Sequence, residues 1–251
     1  MKVIQEKIIT SDFGEKESEI FIYKPEKESK KVLFIIKGMY GLHKPVLDTM
    51  IDLKWDMRFV NYFAKDVNVV CLNTSHKKIY QESDRNQRKK SYEGKTFDQE
   101  VGDIQKIIIQ VKDIFYKQDA KELDFYFFGK SFGGTLLLAL RDSLESKAIF
   151  MVGSGCGKSN TTTNTLLKTM PEEVILLKNI STYRKGRFYF FRGELDDIVP
   201  RESQEKIVST VNEDIREYVV LPGVDHEFEK VNGVESDLPF TFLLEKVSKA
   251  I

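Results

Sequence analysis

The residues with chemistry to offer are a serine set among glycines, three histidines in the whole chain, and an acidic loop. The serine stands in Gly129-Lys130-Ser131-Phe132-Gly133-Gly134, which fits G-x-S-x-G between an apolar run and a stretch of helical character. A sharp strand-to-helix turn there would lift the Ser131 hydroxyl above the strand ends. The glycines are needed because side chains would collide with neighbouring backbone. A helix starting near Phe132 aims its first amides at the same point, which favours developing negative charge. A hydroxyl is a poor nucleophile until an imidazole takes its proton, and the candidates are His43, His76 and His226. His226 lies in Leu221-Pro222-Gly223-Val224-Asp225-His226-Glu227-Phe228, directly after the last strand-like run. A carboxylate to orient it comes from Gly193-Glu194-Leu195-Asp196-Asp197-Ile198-Val199-Pro200. Asp196 is the first choice, Glu194 and Asp197 compete with it, and Asp225 is disfavoured because it adjoins His226. Together these groups would do acyl transfer: Ser131 attacks, His226 serves as base and then acid, and Asp196 holds the imidazole tautomer.

Such side chains need a scaffold that brings distant loops to one edge. Short runs rich in β-branched and aromatic residues recur at 32–36, 67–72, 123–128, 148–152, 188–191 and 218–221. Each is too short for a helix and apolar enough to be buried on both faces. Between them, Phe97, Val101, Ile104, Ile108, Val111 and Phe115 follow helical spacing, with Thr96 and Gln99 as a capping box. Weaker helical patterns cover 47–64, 132–144, 201–211 and 238–247. The alternation predicts an α/β fold: a mostly parallel sheet of about eight strands with right-handed crossovers and helices on both faces. The first two runs, 3–10 and 19–23, have no helix between them and predict an antiparallel N-terminal hairpin. Ligands of open α/β sheets bind beyond the carboxyl ends of the strands, where the loops of Ser131, Asp196 and His226 belong.

A hairpin, then βα units, with Ser131, Asp196 and His226 in that order, resembles the α/β-hydrolase superfamily. Its acid loop often reads G-x-x-D-x-x-V-P, and Gly193, Asp196, Val199 and Pro200 fall on those places. Its oxyanion loop commonly begins His-Gly; here Ile35-Ile36-Lys37-Gly38-Met39-Tyr40-Gly41 takes that position, with Lys37 in place of histidine. The resemblance implies that the backbone amides of Met39 and Phe132 hold the tetrahedral oxyanion. It also makes Gly38, Tyr40, His43 and Ser154 candidates for the substrate pocket, although a solvated turn is the plainer reading of His43. Many relatives carry histidine before the nucleophile where this chain has Lys130. The family inserts a cap near 160–183, which here is about two dozen residues, room for one or two helices. The expectation is one domain over 1–251 with that short cap.

Two other motifs lead elsewhere. Gly153-Ser154-Gly155-Cys156-Gly157-Lys158-Ser159 looks like a phosphate-binding loop, but the pattern requires glycine where Val152 stands. It reads instead as a rim loop of small residues, with Cys156 an inert thiol. The stretch 76–95, basic on balance, reads as a solvated loop or as a selector of anionic substrate.

Composition excludes the larger alternatives. The chain has 251 residues, 41% of them apolar, and 39 basic residues balance 39 acidic ones. That is enough apolar matter for a core and too little net charge to attract a polyanion. Nucleic acid and membrane are not expected as partners. Residues 1–16 are charged throughout, and no run nears the roughly 18 apolar residues of a membrane span, so a soluble, cytoplasmic protein is expected. Two cysteines make no disulfide framework and no cysteine-based metal site. The expected function is a serine hydrolase acting on a small carboxylic ester or related acyl compound, with no metal and no organic cofactor. A thioesterase, a peptidase or a non-catalytic binding protein of the same fold are the alternatives.

Overall fold

The computed structural model describes residues 1–43, 55–80, 84–117, 122–140, 145–157, 164–183 and 185–251. In chain order its strands are β1 (Lys2–Ile9), β2 (Glu17–Lys24), β3 (Lys31–Ile36), β4 (Asn68–Asn73), β5 (Asp124–Lys130), β6 (Ala148–Val152), β7 (Arg187–Gly193) and β8 (Arg216–Leu221), followed by the short pair β9 (Lys230–Val231) and β10 (Val234–Glu235). The helices are α1 (Trp55–Phe63), α2 (Arg85–Ser91), α3 (Phe97–Tyr116), α4 (Phe132–Ala139), α5 (Thr165–Lys168), α6 (Glu173–Ser181), α7 (Arg201–Thr210) and α8 (Leu238–Ala250). Two compact units result, Met1–Asp124 with Lys158–Glu172, and Phe125–Gly157 with Glu173–Ile251.

In the first unit β1 and β2 form the expected hairpin, antiparallel from Lys2 opposite Lys24 to Ile9 opposite Glu17. β2 continues antiparallel onto β4, and β4 pairs in parallel with β3. Every residue of β4 is buried, as an apolar run in a covered sheet requires. Helix α3 buries the stripe foreseen by its spacing, including Ile104, Ile108 and Val111. Its capping box is formed: Thr96 Oγ1 accepts from the Gln99 amide at 3.2 Å, and Gln99 Oε1 accepts from the Thr96 amide at 2.9 Å. On the buried face of α3, Glu100 and Asp103 meet Lys95, which is fully buried. The helix foreseen over 47–64 is present as α1 from Trp55; residues 47–54 lie outside those described. One helix was not foreseen. The basic stretch contains α2, whose N-cap Asp84 accepts from the amides of Asn86 and Gln87.

In the second unit β5, β6, β7 and β8 pair in parallel in sequence order. Parallel pairing therefore dominates the eight longer strands. Helix α4 is buried from Phe132 to Leu138 and packs on β6 and α6; residues 141–144 of its expected span are outside those described. Within 160–183 the chain forms α5 and α6, with 160–163 outside the description. Among the described residues no helix is long and apolar enough to cross a membrane.

Candidate active site

The Ser131 turn is built from the parallel ladder. Lys130 closes β5 opposite Val152, and the next amide, that of Ser131, donates to the Val152 carbonyl at 2.8 Å. The chain then reverses into α4 through Ser131 itself, at φ 53° and ψ −122°. A non-glycine residue in that region costs on the order of 1–3 kcal/mol, so the surrounding contacts must impose it. Ser131 occupies the N-cap position yet its hydroxyl does not cap the helix, although capping is the ordinary use of serine there. The glycines are steric necessities. A Cβ on Gly129 would stand 2.6 Å from the Gly134 nitrogen, and one on Gly134 would stand 2.0 Å from Ser154 Oγ. Gly129→Ala presses on backbone that cannot yield and is expected to destabilise the protein by about 2 kcal/mol in urea unfolding. A change under about 0.5 kcal/mol would mean the turn is not built this way.

The candidate acid and the candidate base lie in the loops after β7 and β8. Asp196 Oδ1 accepts from the amides of Ile198 and Val199, each at 3.0 Å, which locks the carboxylate in its own turn. Its Oδ2 is 2.9 Å from His226 Nδ1. Both residues are buried. Burial pushes the Asp196 carboxyl up, but the hydrogen bond from His226 and the two amides outweigh it, and the group lies below the usual carboxylate range. Arg192, buried in β7, braces the loop by donating to the carbonyls of Asp196 and Val199, both at 2.9 Å. The other carboxylates are used elsewhere: Glu194 accepts from the Gly223 amide, and Asp225 from the amides of Glu229 and Lys230. Asp197 is exposed. Gly193 lets the base loop cross, since a Cβ there would meet the Val224 carbonyl at 2.4 Å.

Ser131 and His226 are joined through β6. Val152 accepts the Ser131 amide, and the next residue, Gly153, lies against the imidazole and the carboxylate. A Cβ on Gly153 would be 3.1 Å from His226 Nδ1 and 3.2 Å from Asp196 Oδ2. There is no direct hydrogen bond between the Ser131 hydroxyl and His226 in this arrangement. Such bonds are often long before substrate is bound.

No family model and no curated protein matches the sequence. Solved structures do match. A soluble variant of monoglyceride lipase from Saccharomyces cerevisiae, in complex with a substrate analogue, aligns with a TM-score of 0.68 at 10% identity, over 99% of this chain and 94% of that one. Thermogutta terrifontis esterase 2, phosphoramylated by tabun, gives 0.67 at 16% identity over 98% and 92%. An α/β serine hydrolase without lid from Xanthomonas campestris gives 0.55 at 12% over 98% and 93%. The chain has the α/β-hydrolase fold.

The remaining positions suggested by the α/β-hydrolase pattern are distributed as follows. Phe132 opens α4 in the second unit. Ser154 is fully buried and donates to the Val152 carbonyl, so its side chain is packing for the Gly134 turn. Gly38, Met39 and Tyr40 form a turn in the first unit, with Tyr40 at φ 60° and the Gly41 amide donating to the Gly38 carbonyl. Asn164 approaches both Met39 Sδ and the Tyr40 hydroxyl. His43 is not a solvated turn residue. It is 1% exposed, with Nε2 2.6 Å from the Tyr23 hydroxyl and Nδ1 against Asp56 Oδ2. Lys37 Nζ stands 2.7 Å from that same oxygen, which gives the lysine a structural reason in this loop. Burial raises the Asp56 carboxyl, but His43 and Lys37 together bring it down to about 2.

His43, Asp56 and Cys71 bring donor atoms within 4.8 Å of one another, the spacing a metal ion would need. Both ring nitrogens are already engaged and the Lys37 ammonium already neutralises Asp56, so the group fits a hydrogen-bonded core better than a cation site. Cys156 is buried beside Ser203, whose hydroxyl accepts its amide, and burial raises its thiol, as suits an inert cysteine. No sequence motif marks Arg192. Its signal is a lone cation inside Phe188-Tyr189-Phe190-Phe191-Arg192-Gly193, where a buried charge must have a purpose.

Proposed function

We propose that the protein is a serine hydrolase that cleaves a small carboxylic ester or related acyl compound through an acyl-enzyme intermediate. The observation that carries this reading is the buried hydrogen bond between Asp196 and His226, which lies against Gly153, one residue on from the Val152 carbonyl that holds the amide of a strained serine that does not cap its helix. Nothing in folding requires that combination; activating an alcohol does. Ser131 attacks the acyl carbon as His226 takes its proton. The ionised Asp196 keeps the proton of the ring on Nδ1 and stabilises the imidazolium that forms. The Phe132 amide, at the N-terminus of α4, faces the charge that develops on the carbonyl oxygen. His226 then protonates the leaving group, and water enters by the reverse of the same steps.

Support for the ester class comes from the solved structures described as esterase and lipase. The esterase recorded as phosphoramylated by tabun suggests the probe. A fluorophosphonate is expected to label the wild type and not Ser131→Ala, since an unactivated serine reacts slowly. Equal labelling of the two would end the hydrolase reading and leave a binding protein of this fold. A panel of short esters, thioesters and aminoacyl amides then ranks the acyl classes, with esters expected first.

A further inference from the structure

Lys130 precedes the nucleophile and Glu227 follows the base, and the two are ion-paired across 97 positions of sequence. We propose that this pair is a latch that sets the base loop on the nucleophile turn, making Lys130 and Glu227 positioning residues for His226. The proposal rests on the serine-hydrolase reading for its catalytic consequence.

The base loop is tied well to the acid loop. The amides of Glu194 and Leu195 donate to the carbonyls of Leu221 and Val224, each at 2.9 Å, and Asp196 holds the ring of His226. Phe228 is fully buried at φ 61° and anchors the far end. These contacts fix the imidazole relative to β7. The nucleophile, however, rides on β5, and the pair from Lys130 to Glu227 runs directly from that strand to the base loop. Positioning has a steep return in catalysis, because a small misplacement of the base costs rate without changing what the site can bind.

The two partners are unequal, which points to a defined role for the lysine. Its side chain is 12% exposed against 58% for Glu227. An ammonium held that far from water needs a fixed counter-charge. Burial lowers the Lys130 ammonium to about 8, against Glu229, Asp225 and Asp196, which favour its charged form. The groups facing it are thus Glu227, Glu229 and Asp225 of the base loop, and Asp196 of the acid loop. The latch exists with Lys130 protonated. It weakens as Lys130 loses that proton at alkaline pH, so activity gains a descending alkaline limb.

The test uses Glu227→Gln, Lys130→Gln and Lys130→Arg in the full chain, with two measurements. Backbone amide exchange over 223–229 is expected to quicken about 5-fold or more in both glutamine variants and to stay near wild type in Lys130→Arg. For p-nitrophenyl acetate, the glutamine variants should lose about 10-fold in kcat with KM within about twofold, and Lys130→Arg should keep its activity to higher pH than wild type. Unchanged exchange in both glutamine variants overturns the latch, as does a rise in KM alone. Exchange needs no turnover, so the latch stands or falls even in a chain that lacks Ser131-dependent hydrolysis, a result that would overturn only the hydrolase reading.

Discussion

Ser131→Ala is expected to lower kcat/KM toward p-nitrophenyl esters by about 10⁴-fold or more, a loss of roughly 5 kcal/mol in transition-state stabilisation. The magnitude follows from what remains. Without the hydroxyl, Asp196 and His226 keep their buried hydrogen bond and can still polarise a water, and the first amides of α4 still face developing charge. Such residues leave modest catalysis over water and no acyl-enzyme. Stability should scarcely change, because alanine inherits the same backbone at φ 53°. Ser131→Gly provides the complementary measurement. Glycine accepts that conformation without penalty, so this variant should be about 1 kcal/mol more stable than Ser131→Ala while equally inactive. A protein that keeps a strained serine where glycine would be more stable trades stability for placement of an oxygen. If Ser131→Ala hydrolyses esters as fast as wild type, the residue is structural and its strain has no catalytic account.

The pairing of Asp196 with His226 was legible in the sequence for a definite reason. Asp196 and His226 each lie within a few residues of the end of an apolar run, and parallel strands deliver their loops to one edge. Thr96 and Gln99 were legible because a capping box is local chemistry, complete within four residues. Helix α2 was not, since Arg85 to Ser91 carries no apolar stripe, and its start depends on Asp84, which reads equally well as a turn residue. The burial of His43 was hidden because its partners, Tyr23 and Asp56, sit on other elements. The Lys130 and Glu227 pair was hidden for the same reason, as no spacing rule links two positions so far apart. Lys95 was read as one cation in a solvated basic stretch, yet it is fully buried. Local patterns reveal caps, turns and strand ends; long-range charge pairing has no local signature.

The buried Lys95 carries the largest stability effect expected in the chain. Its ammonium donates to the Ser75 carbonyl and to Asp103 Oδ2, both at 2.7 Å, and also pairs with Glu100. Asp103 Oδ2 further accepts from the Ser75 amide and hydroxyl, while Asp103 Oδ1 has no hydrogen-bond partner. Thr74 donates to Glu100. The two carboxylates thus face one ammonium in a region closed to water. Lys95→Met keeps most of the apolar stem and removes the ammonium, whose Nζ lies 5.4 Å from the centre of the Tyr92 ring. Two buried carboxylates are then left facing each other, and breaking a buried pair in this way costs about 3–5 kcal/mol. Urea unfolding is expected to show a loss of that size. The same reasoning fixes the sign of a rescue: Lys95→Met combined with Glu100→Gln and Asp103→Asn removes the orphaned charges and should regain most of the loss. A loss under about 1 kcal/mol in Lys95→Met, or no recovery in the triple variant, would show that the cluster is solvated and that its charges do not depend on one another.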